Sequence, residues 1–563
     1  MSENLKIVIV GGVAAGPKTA ARARRLDPQA DITIVERGSM LSYAGCGMPF
    51  YVAGTIREFD HLYKTSYGVP RDVEYFAREK GVKVLIGNEA VNIDREKKEL
   101  LVRNLTTGEE SLLPYDKLVL AAGASPFVPP IENNQLKGIY QFNHPEDARL
   151  VRENLDNVQE AVIIGAGLIG MEAADALRSK NVFVTVVELQ DKVLPAMLDS
   201  DMSATLKQRL EEQMIEFRLG HKVLKFRDDG EGNVNGVITD QEELDADMVI
   251  IAVGVRPNVE LAKASGLEIG AAGAIKVNEY MQTTDPDIYA LGDCVENTQL
   301  ITGQKVFTPM ATYANRQGRV VANNIVLGNK DAFPGVLGTS ICRVLNQNIA
   351  RTGLGEEQAK AAGFDVTTVL STVFDRTHYS PGSSMVLLKL IVDNKTHKVL
   401  GAQGLSAGEI AKRIDVIATA IKFGATVEQL SELDLAYAPP FGTPIDVVHH
   451  TANMVLNKWD GLSKPISAKE LEAKIESDDD FLMVDVRTKQ QFAPKHIDDD
   501  RVMLMTLGDI RERIQEIPKD KEVVLICAMG IRSYEAERIF EGFGFKNVKY
   551  LEGGLHGWPY DLD

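Results

Sequence analysis

The sequence predicts an α/β protein of several domains. Three observations carry that reading: two strand–glycine turn–helix–strand units each closed by an acid, apolar strands that end in small-residue turns, and a compact C-terminal strand–cysteine–helix unit. Length agrees, because 563 residues exceed what one domain of roughly 100–200 residues holds. Hydrophobic content of 44% with 25% charged residues is ordinary for a globular chain with full cores. A formal net charge of −18 argues against a nucleic-acid or anionic-membrane partner. The four cysteines, Cys46, Cys294, Cys342 and Cys527, form no CxxC pair and no Cys/His cluster, so neither a disulfide framework nor a metal site is expected. The start MSENLKIVIVGG feeds an apolar run straight into a glycine turn. It reads as a first strand, not a signal peptide, and no run approaches the ~20 apolar residues of a membrane span. A reducing cytoplasm is the expected location.

Taken in order, Lys6–Val10 is an apolar strand and Gly11-Gly12-Val13-Ala14-Ala15-Gly16 opens a helix rich in Ala and Arg. Ile32–Val35 is the next strand and ends on Glu36, about twenty residues after the last glycine. This is a dinucleotide fingerprint: a tight turn, a pyrophosphate at the helix N-terminus and a carboxylate for ribose hydroxyls. Val13 stands where the second glycine of the pattern is expected. Gly11, Gly12, Gly16, Glu36 and Arg37 are the candidate contacts.

The stretch Leu41–Phe50, LSYAGCGMPF, surrounds Cys46 with small residues. Glycine lets a backbone approach a flat partner, and Pro49 rigidifies that approach. A thiol held against a flavin can pass electrons to a sulfur substrate. The plain alternative is a buried cysteine acting as a small hydrophobe.

Asn88–Arg103 reads as strands and turns, and Lys117–Pro126 (KLVLAAGASP, with Gly123) as a strand ending in a small-residue turn. A complete GxGxxG follows the strand Ala161–Ile164, as Gly165-Ala166-Gly167-Leu168-Ile169-Gly170. A helix Met171–Lys180 and a strand Phe183–Val187 ending on Glu188 complete the unit. A carboxylate there favours the ribose hydroxyls and repels a 2′-phosphate, so NADH is expected over NADPH. Met248–Pro257 (MVIIAVGVRP) mirrors the earlier small-residue turn, as when one nucleotide unit is inserted within another. Asp287–Asp293 (DIYALGD) brings Gly292 and Asp293 to a strand end, where the aspartate can accept from a ribityl hydroxyl.

Two such sites, the ALGD strand and a cysteine about thirty residues after the first glycine turn resemble the FAD/NAD(P)-linked disulfide reductases, from Met1 to roughly Asn457. The resemblance implies FAD in the first Rossmann-like unit and NAD(P)H in the second, with nicotinamide and redox cysteine on opposite flavin faces. Dithiol members carry CxxxxC, whereas Tyr51 stands in the second position here. The chain is therefore similar to the single-cysteine branch: coenzyme A-disulfide reductases, NADH oxidases and NADH peroxidases. The expected division is 1–150 with 258–328 for FAD, 151–257 for NAD(H), 329–457 for an α+β dimerisation domain, and 464–563 for the C-terminal module.

Within the dimerisation segment, strands Met385–Val392 and Val399–Gln403 and a helix Ile410–Phe423 are expected. The phrases His378-Tyr379-Ser380-Pro381-Gly382 and Tyr437-Ala438-Pro439-Pro440-Phe441-Gly442 resemble coenzyme A-disulfide reductases, where paired tyrosines sit beside the redox cysteine. A phenol can hydrogen-bond or protonate a leaving thiolate. Half-buried packing is the structural alternative. The same resemblance places CoA contacts at Lys18, Arg22, Arg25 and Ser42, although such a charge run can also be a solvated helix face. Relatives often carry Lys before the Asp that follows YAPP; here Ile445 precedes Asp446.

KWDGLSKPIS after Asn457 reads as a linker. Beyond it, the strands Phe481–Val484 and Val523–Ile526 are expected, the second delivering Cys527-Ala528-Met529-Gly530-Ile531-Arg532-Ser533 into a helix. A cysteine at such a turn faces backbone N–H groups and the positive helix end, which cradle an anion. The loop, with DVR before it and LEGG and Trp558 after it, resembles a rhodanese domain, which would carry sulfane sulfur on Cys527, with Arg532 as a further catalytic residue. A tyrosine-phosphatase or arsenate-reducing loop is the rival, but those leave five residues between Cys and Arg where four stand here. Cys294 and Cys342 receive a structural reading.

The resulting expectation is a homodimeric flavoprotein that uses NADH to reduce persulfide, polysulfide or CoA-disulfide sulfur through Cys46, with Tyr379 and Tyr437 supplied by the neighbouring subunit. Tethering a sulfur carrier raises its effective concentration at that site and favours persulfide substrates. The alternatives are an NADH oxidase or peroxidase working through a Cys46 sulfenate, and a redox-sensing or sulfur-carrier hub with little turnover.

Overall fold

The structure is a computed structural model that describes residues 4–477 and 479–562. The chain forms two compact units. One comprises residues up to Gly165 with Ser179–Val182 and Val223–Val336; the other comprises Ala166–Arg178, Phe183–Lys222 and the chain from Leu337 onward.

In the first unit, Lys6–Val10 lies at the centre of a five-stranded parallel sheet between Lys117–Leu120 and Asp31–Glu36, with Ile288–Ala290 and Lys83–Ile86 at the edges. Ile7, Ile9, Ile32, Ile34 and Leu118 are fully buried there. Continuous apolar runs of this kind are what a parallel sheet covered on both faces requires. The helix Ala15–Leu26 turns Ala15, Ala20 and Ala23 to the core, and these small side chains let it pack close to the helix Ala311–Leu327. Asn88–Asp94, Glu99–Asn104 and Glu110–Pro114 form an antiparallel sheet. Glu160–Ile164 pairs parallel with Met248–Ile251, and that strand with Ile139–Gln141. The two small-residue turns meet as antiparallel strands, Ala124–Pro126 against Val255–Pro257, as their sequence likeness suggests.

In the second unit, Phe183–Glu188 pairs parallel with Ile215–Leu219. The helix after the second glycine turn spans Leu168–Arg178 instead of Met171–Lys180. The last turn residues already have helical geometry, so Gly170 lies inside the helix, and Asn181 at φ +64 redirects the chain after it. Five antiparallel strands follow in the order Ser340–Val344, Gln347–Gly353, Val399–Ser406, Met385–Asp393, Val366–Phe374. The helices Ala411–Lys422 and Val447–Trp459 pack on this sheet.

The C-terminal module is a five-stranded parallel sheet ordered Pro465–Ile466, Val548–Leu551, Glu522–Ile526, Phe481–Asp485, Val502–Leu504. The expected linker is shorter than its composition implied. Lys458 and Trp459 close a helix, the Trp459 indole donates to Thr367 and Asn394, and Pro465–Ile466 is already an edge strand. The fold class expected from the sequence is the one observed: mixed α/β, with Rossmann-like parallel topology.

Candidate functional site

The two glycine turns use the same solution. Gly11 has φ +111, and a Cβ there would stand 2.1 Å from the Ala121 carbonyl oxygen; Gly165 has φ +104, and its Cβ would meet the Ala252 oxygen at 2.6 Å. Only glycine fits a left-handed backbone pressed on a neighbouring strand end. Each closing acid is anchored alike. Glu36 accepts from Gly12 N–H at 2.6 Å and Gly38 N–H at 2.7 Å; Glu188 accepts from Ala166 N–H at 2.7 Å and Gln190 N–H at 2.9 Å. Two donors hold each carboxylate beside its glycine turn, where a ribose would lie. Arg37 is exposed beside Glu36. At Gly123 (φ +68) and at Gly167 an added Cβ would meet no atom within 4 Å, so a ligand has room there. Gly292 N–H donates to Gln317 at 2.8 Å. Burial raises the Asp293 carboxyl above its ordinary range, countered by the Met310 N–H. These groups fit a dinucleotide at each turn.

Cys46 is exposed on a 3₁₀ turn, Gly45–Gly47, that runs into the short helix Met48–Val52. The turn is fixed from behind: Ala44 N–H donates to Leu62 O at 2.7 Å, Gly47 N–H to Ala44 O at 2.9 Å. Gly47 is pressed on Leu62, whereas Gly45 opens onto empty space. Tyr51, in the position of a second cysteine in dithiol reductases, is buried. The Arg152 guanidinium lies over its ring at 4.3 Å and donates to the carbonyls of Tyr51, Ile56 and Arg57 at 3.1, 3.2 and 3.0 Å. Arg152 thus seals the helix end behind the cysteine. Nothing local in PEDARLVRE distinguishes it from a solvent-facing helix residue, and the sequence reading missed it.

Of the basic candidates, Lys18 and Arg25 are exposed and Arg22 is half-buried. Arg22 Nε donates to Asn323 at 2.9 Å, which aims the guanidinium. Ser42 has φ +47, and its N–H donates to Gly12 O at 2.9 Å, linking the cysteine stretch to the glycine turn.

In the second unit, the two tyrosine phrases are stitched together. Ser380 Oγ donates to Pro439 O at 2.8 Å and Thr377 Oγ1 to the same oxygen at 3.2 Å. Tyr379 is 67% and Tyr437 46% exposed, so neither is a packing residue within one chain. Asp446 accepts from the buried Arg413 at 2.8 Å and caps its helix at Val448 N–H, while Ile445 is exposed. Glu172, in the helix after the second turn, was not singled out from sequence. Burial, with Asp175 adding repulsion, pushes its carboxyl up to about 7. Both acids also push up the Cys342 thiol, after burial itself. Cys294 is likewise pushed up to about 11, mainly by burial. Neither thiol is suited to act as a thiolate.

Cys527 ends the central strand Glu522–Ile526 and is only 1% exposed. Gly530, at φ +89, turns its N–H onto Cys527 Sγ at 3.1 Å, and Ser533 Oγ lies 3.4 Å from the sulfur. The helix Ile531–Gly542 starts on the next residue. Arg532 is half-exposed and held by Gln491 Oε1 at 2.9 Å. Asp485 and Arg487 of the DVR motif form a buried pair at 2.7 Å, and Arg487 also donates to Gln491 O at 3.0 Å.

Residues 5–318 match the pyridine nucleotide-disulphide oxidoreductase family, 339–446 its dimerisation domain and 467–560 the rhodanese-like domain. The chain belongs to the pyridine nucleotide-disulphide oxidoreductases. Among relatives of this family, the NAD(P)H coenzyme A polysulfide/persulfide reductase of Pyrococcus horikoshii is 38% identical over 445 residues, 78% of this chain and 96% of that one. The solved NAD-dependent persulfide reductase from A. fulgidus superposes with a TM-score of 0.94 at 43% identity, covering 98% of this chain and all of the other. The reduced Bacillus anthracis CoADR-RHD gives 0.90 at 34%, covering 99% and 98%. As an oxidoreductase of this family with a rhodanese-like domain, the chain has the architecture that its motifs implied.

Proposed function

We propose that the chain is an NADH-dependent FAD enzyme that reduces persulfide, polysulfide or CoA-disulfide sulfur through Cys46 and carries sulfane sulfur on Cys527. The observation that carries it is the exposed Cys46 on a rigid turn, open at Gly45, with Tyr51 in place of a second cysteine. FAD is held by Gly11, Gly12, Gly16, Glu36, Arg37, Gly123, Gly292 and Asp293, and NADH by Gly165, Gly167, Gly170 and Glu188. Domain limits are 1–150 with 258–328, 151–257, 329–457 and 464–563. Bound FAD supplies a two-electron relay between a nicotinamide and an adjacent sulfur.

The Cys46 thiolate attacks one sulfur of an S–S bond; a new bond forms to Cys46 and the other sulfur leaves as a thiolate. Tyr379 and Tyr437 of the partner subunit in a homodimer hydrogen-bond and protonate that leaving group. Lys18, Arg22, Arg25 and Ser42 hold the phosphates of CoA, with Arg offering paired donors. The overall balance is one disulfide or persulfide, one NADH and one proton giving two thiols (or thiol and sulfide) and NAD⁺. The proposed location is a reducing cytoplasm, where a thiol such as Cys46 is kept available for exchange.

The test is anaerobic NADH consumption with CoA persulfide, polysulfide or CoA disulfide, against aerobic consumption without them, together with the mass on Cys46. The sulfur-dependent rate is expected to dominate, with Cys46 found as CoA or sulfur adduct. A dominant oxygen-dependent rate with an oxygen adduct on Cys46 would overturn the reading in favour of an oxidase.

A further inference from the structure

The segment Gly553–Gly557 lies against the backbone of the Cys527 loop. A Cβ on Gly554, at φ +62, would stand 2.5 Å from Met529 N and 2.6 Å from Cys527 O. Leu555 N–H donates to Cys527 O at 2.9 Å and His556 N–H to Ala528 O at 3.0 Å. The opposite, acceptor side of this segment is held from outside the C-terminal module. Arg209 Nη2, on the helix Ser200–Glu211, donates to His556 O at 3.0 Å. Thr205 Oγ1 of that helix reaches Gly557 O at 3.4 Å, and Thr372 Oγ1 donates to Gly553 O at 2.8 Å. Arg209 Nη1 is in turn fixed on Gln347 Oε1 at 3.0 Å.

Among the described residues, both acceptors of Arg209 are neutral oxygens. Burial lowers its guanidinium to about 10, against a smaller pull from Glu212. A half-buried cation whose hydrogen bonds both go to neutral oxygens is a costly way to join two modules, because apolar side chains would join them more cheaply. What it supplies is direction: two hydrogen bonds of fixed geometry.

We infer that Arg209 is a positioning residue for sulfur transfer: by holding His556 O it sets the Leu555 and His556 N–H groups that fix the Cys527–Ala528 peptides. The inference rests on the reading that Cys527 carries sulfane sulfur. The rhodanese loop is then shaped by the helix that follows the Glu188 strand, instead of by its own module alone.

The test uses full-length, FAD-loaded protein and the variants Arg209→Ala, Arg209→Lys and Thr372→Val. Three quantities are read: sulfur transfer from thiosulfate to cyanide, NADH-driven reduction of CoA disulfide, and the pH profile of Cys527 alkylation. For Arg209→Ala, kcat for sulfur transfer should fall about 10- to 100-fold with little change in KM, as displaced reacting groups cause. The alkylation profile should move, while CoA-disulfide reduction stays within about twofold. Arg209→Lys should recover part of the loss, and Thr372→Val should lose severalfold. Wild-type transfer and profile in all three variants would overturn the inference. So would equal loss of both activities with a lowered melting temperature, which marks a merely structural role. If Arg209→Ala does not fold, the other two variants decide. A wild-type chain that moves no sulfur would instead sink the carrier reading, and the positioning role with it.

Discussion

The two cysteines proposed for chemistry sit in opposite surroundings. Cys46 is exposed on a short turn that is braced from behind by Leu62 O and followed by a helix whose Tyr51 carbonyl accepts from Arg152. Cys527 is buried at the end of a central parallel strand, its sulfur met by Gly530 N–H and its carbonyl roofed by Leu555 N–H. The contrast suits the chemistry proposed for each atom. A sulfur that exchanges electrons with a flat ring and a bulky substrate needs open space on one side and a rigid back on the other. A sulfur that holds a charged sulfane needs donors pointing at it.

The broadest test is to swap which thiol is lost. Cys46→Ser should lower NADH-driven CoA-disulfide reduction by about 10³-fold or more, the scale of losing a nucleophile. Cys527→Ser should leave that rate within about twofold and abolish sulfane loading. Anaerobic steady-state assays with CoA disulfide and with a sulfane donor check both, and equal losses on both substrates would break the division of labour.

Paired glycine substitutions sharpen it next. Gly554→Ala forces a Cβ into the Met529 and Cys527 backbone from a left-handed conformation, and should cost about 10- to 100-fold in sulfur transfer. Gly45→Ala meets no atom of the chain within 4 Å, so melting should hardly move, yet flavin uptake should weaken about tenfold if the ring closes on that side. Visible absorbance with a melting curve separates the two outcomes.

Much of this was legible in the residue order. Glycine turns, closing acids and apolar strands are local signals: Gly11 and Gly165 stand in left-handed turns at strand ends, and Glu36 and Glu188 are anchored beside them. Cys46 and Cys527 were legible because small residues and a strand-to-helix turn surround them in sequence. The braces were not. Arg152 reaches Tyr51 from about a hundred residues away, and Arg209 reaches His556 from 347. Each occupies a helix whose local pattern is that of any charged surface. The linker misled for the converse reason: Gly, Ser and Pro in KWDGLSKPIS signal a turn, but Trp459 and Pro465 are recruited by partners far along the chain.

Arg152→Ala tests the brace behind Cys46. It removes three hydrogen bonds to carbonyls and the stack on Tyr51, so the first unit should lose about 1–3 kcal/mol and Cys46 turnover about tenfold. Sulfur transfer through Cys527 should be untouched. A turnover loss without any shift in melting would mean that Arg152 acts on substrate and not on the turn.

The smallest effect expected is a pH dependence confined to the second unit. Lys389, 3% exposed, pairs with Asp201 and Glu356 at 2.8 Å and with Asp199 at 3.3 Å; Asp201 lies in the first turn of the helix that carries Arg209. Burial raises the Glu356 carboxyl, but Lys389 and Lys360 outweigh it and hold it at about 2. A carboxylate depressed in the folded state adds stability that is fully present above its unfolded value, near 4.5, and drains away as pH falls toward 2. His556, held down to about 3 by burial and then by the fields of Arg209 and Lys495, stays neutral in the folded state while the unfolded chain protonates it below about 6.5, so it adds its own loss of stability across the same window. Scanning calorimetry between pH 5 and about pH 3 should therefore show the transition of the second unit falling, and Glu356→Gln should flatten that slope. An unchanged slope in Glu356→Gln would assign the acid sensitivity to other groups, His556 among them, and leave the Lys389 cluster without a part in it.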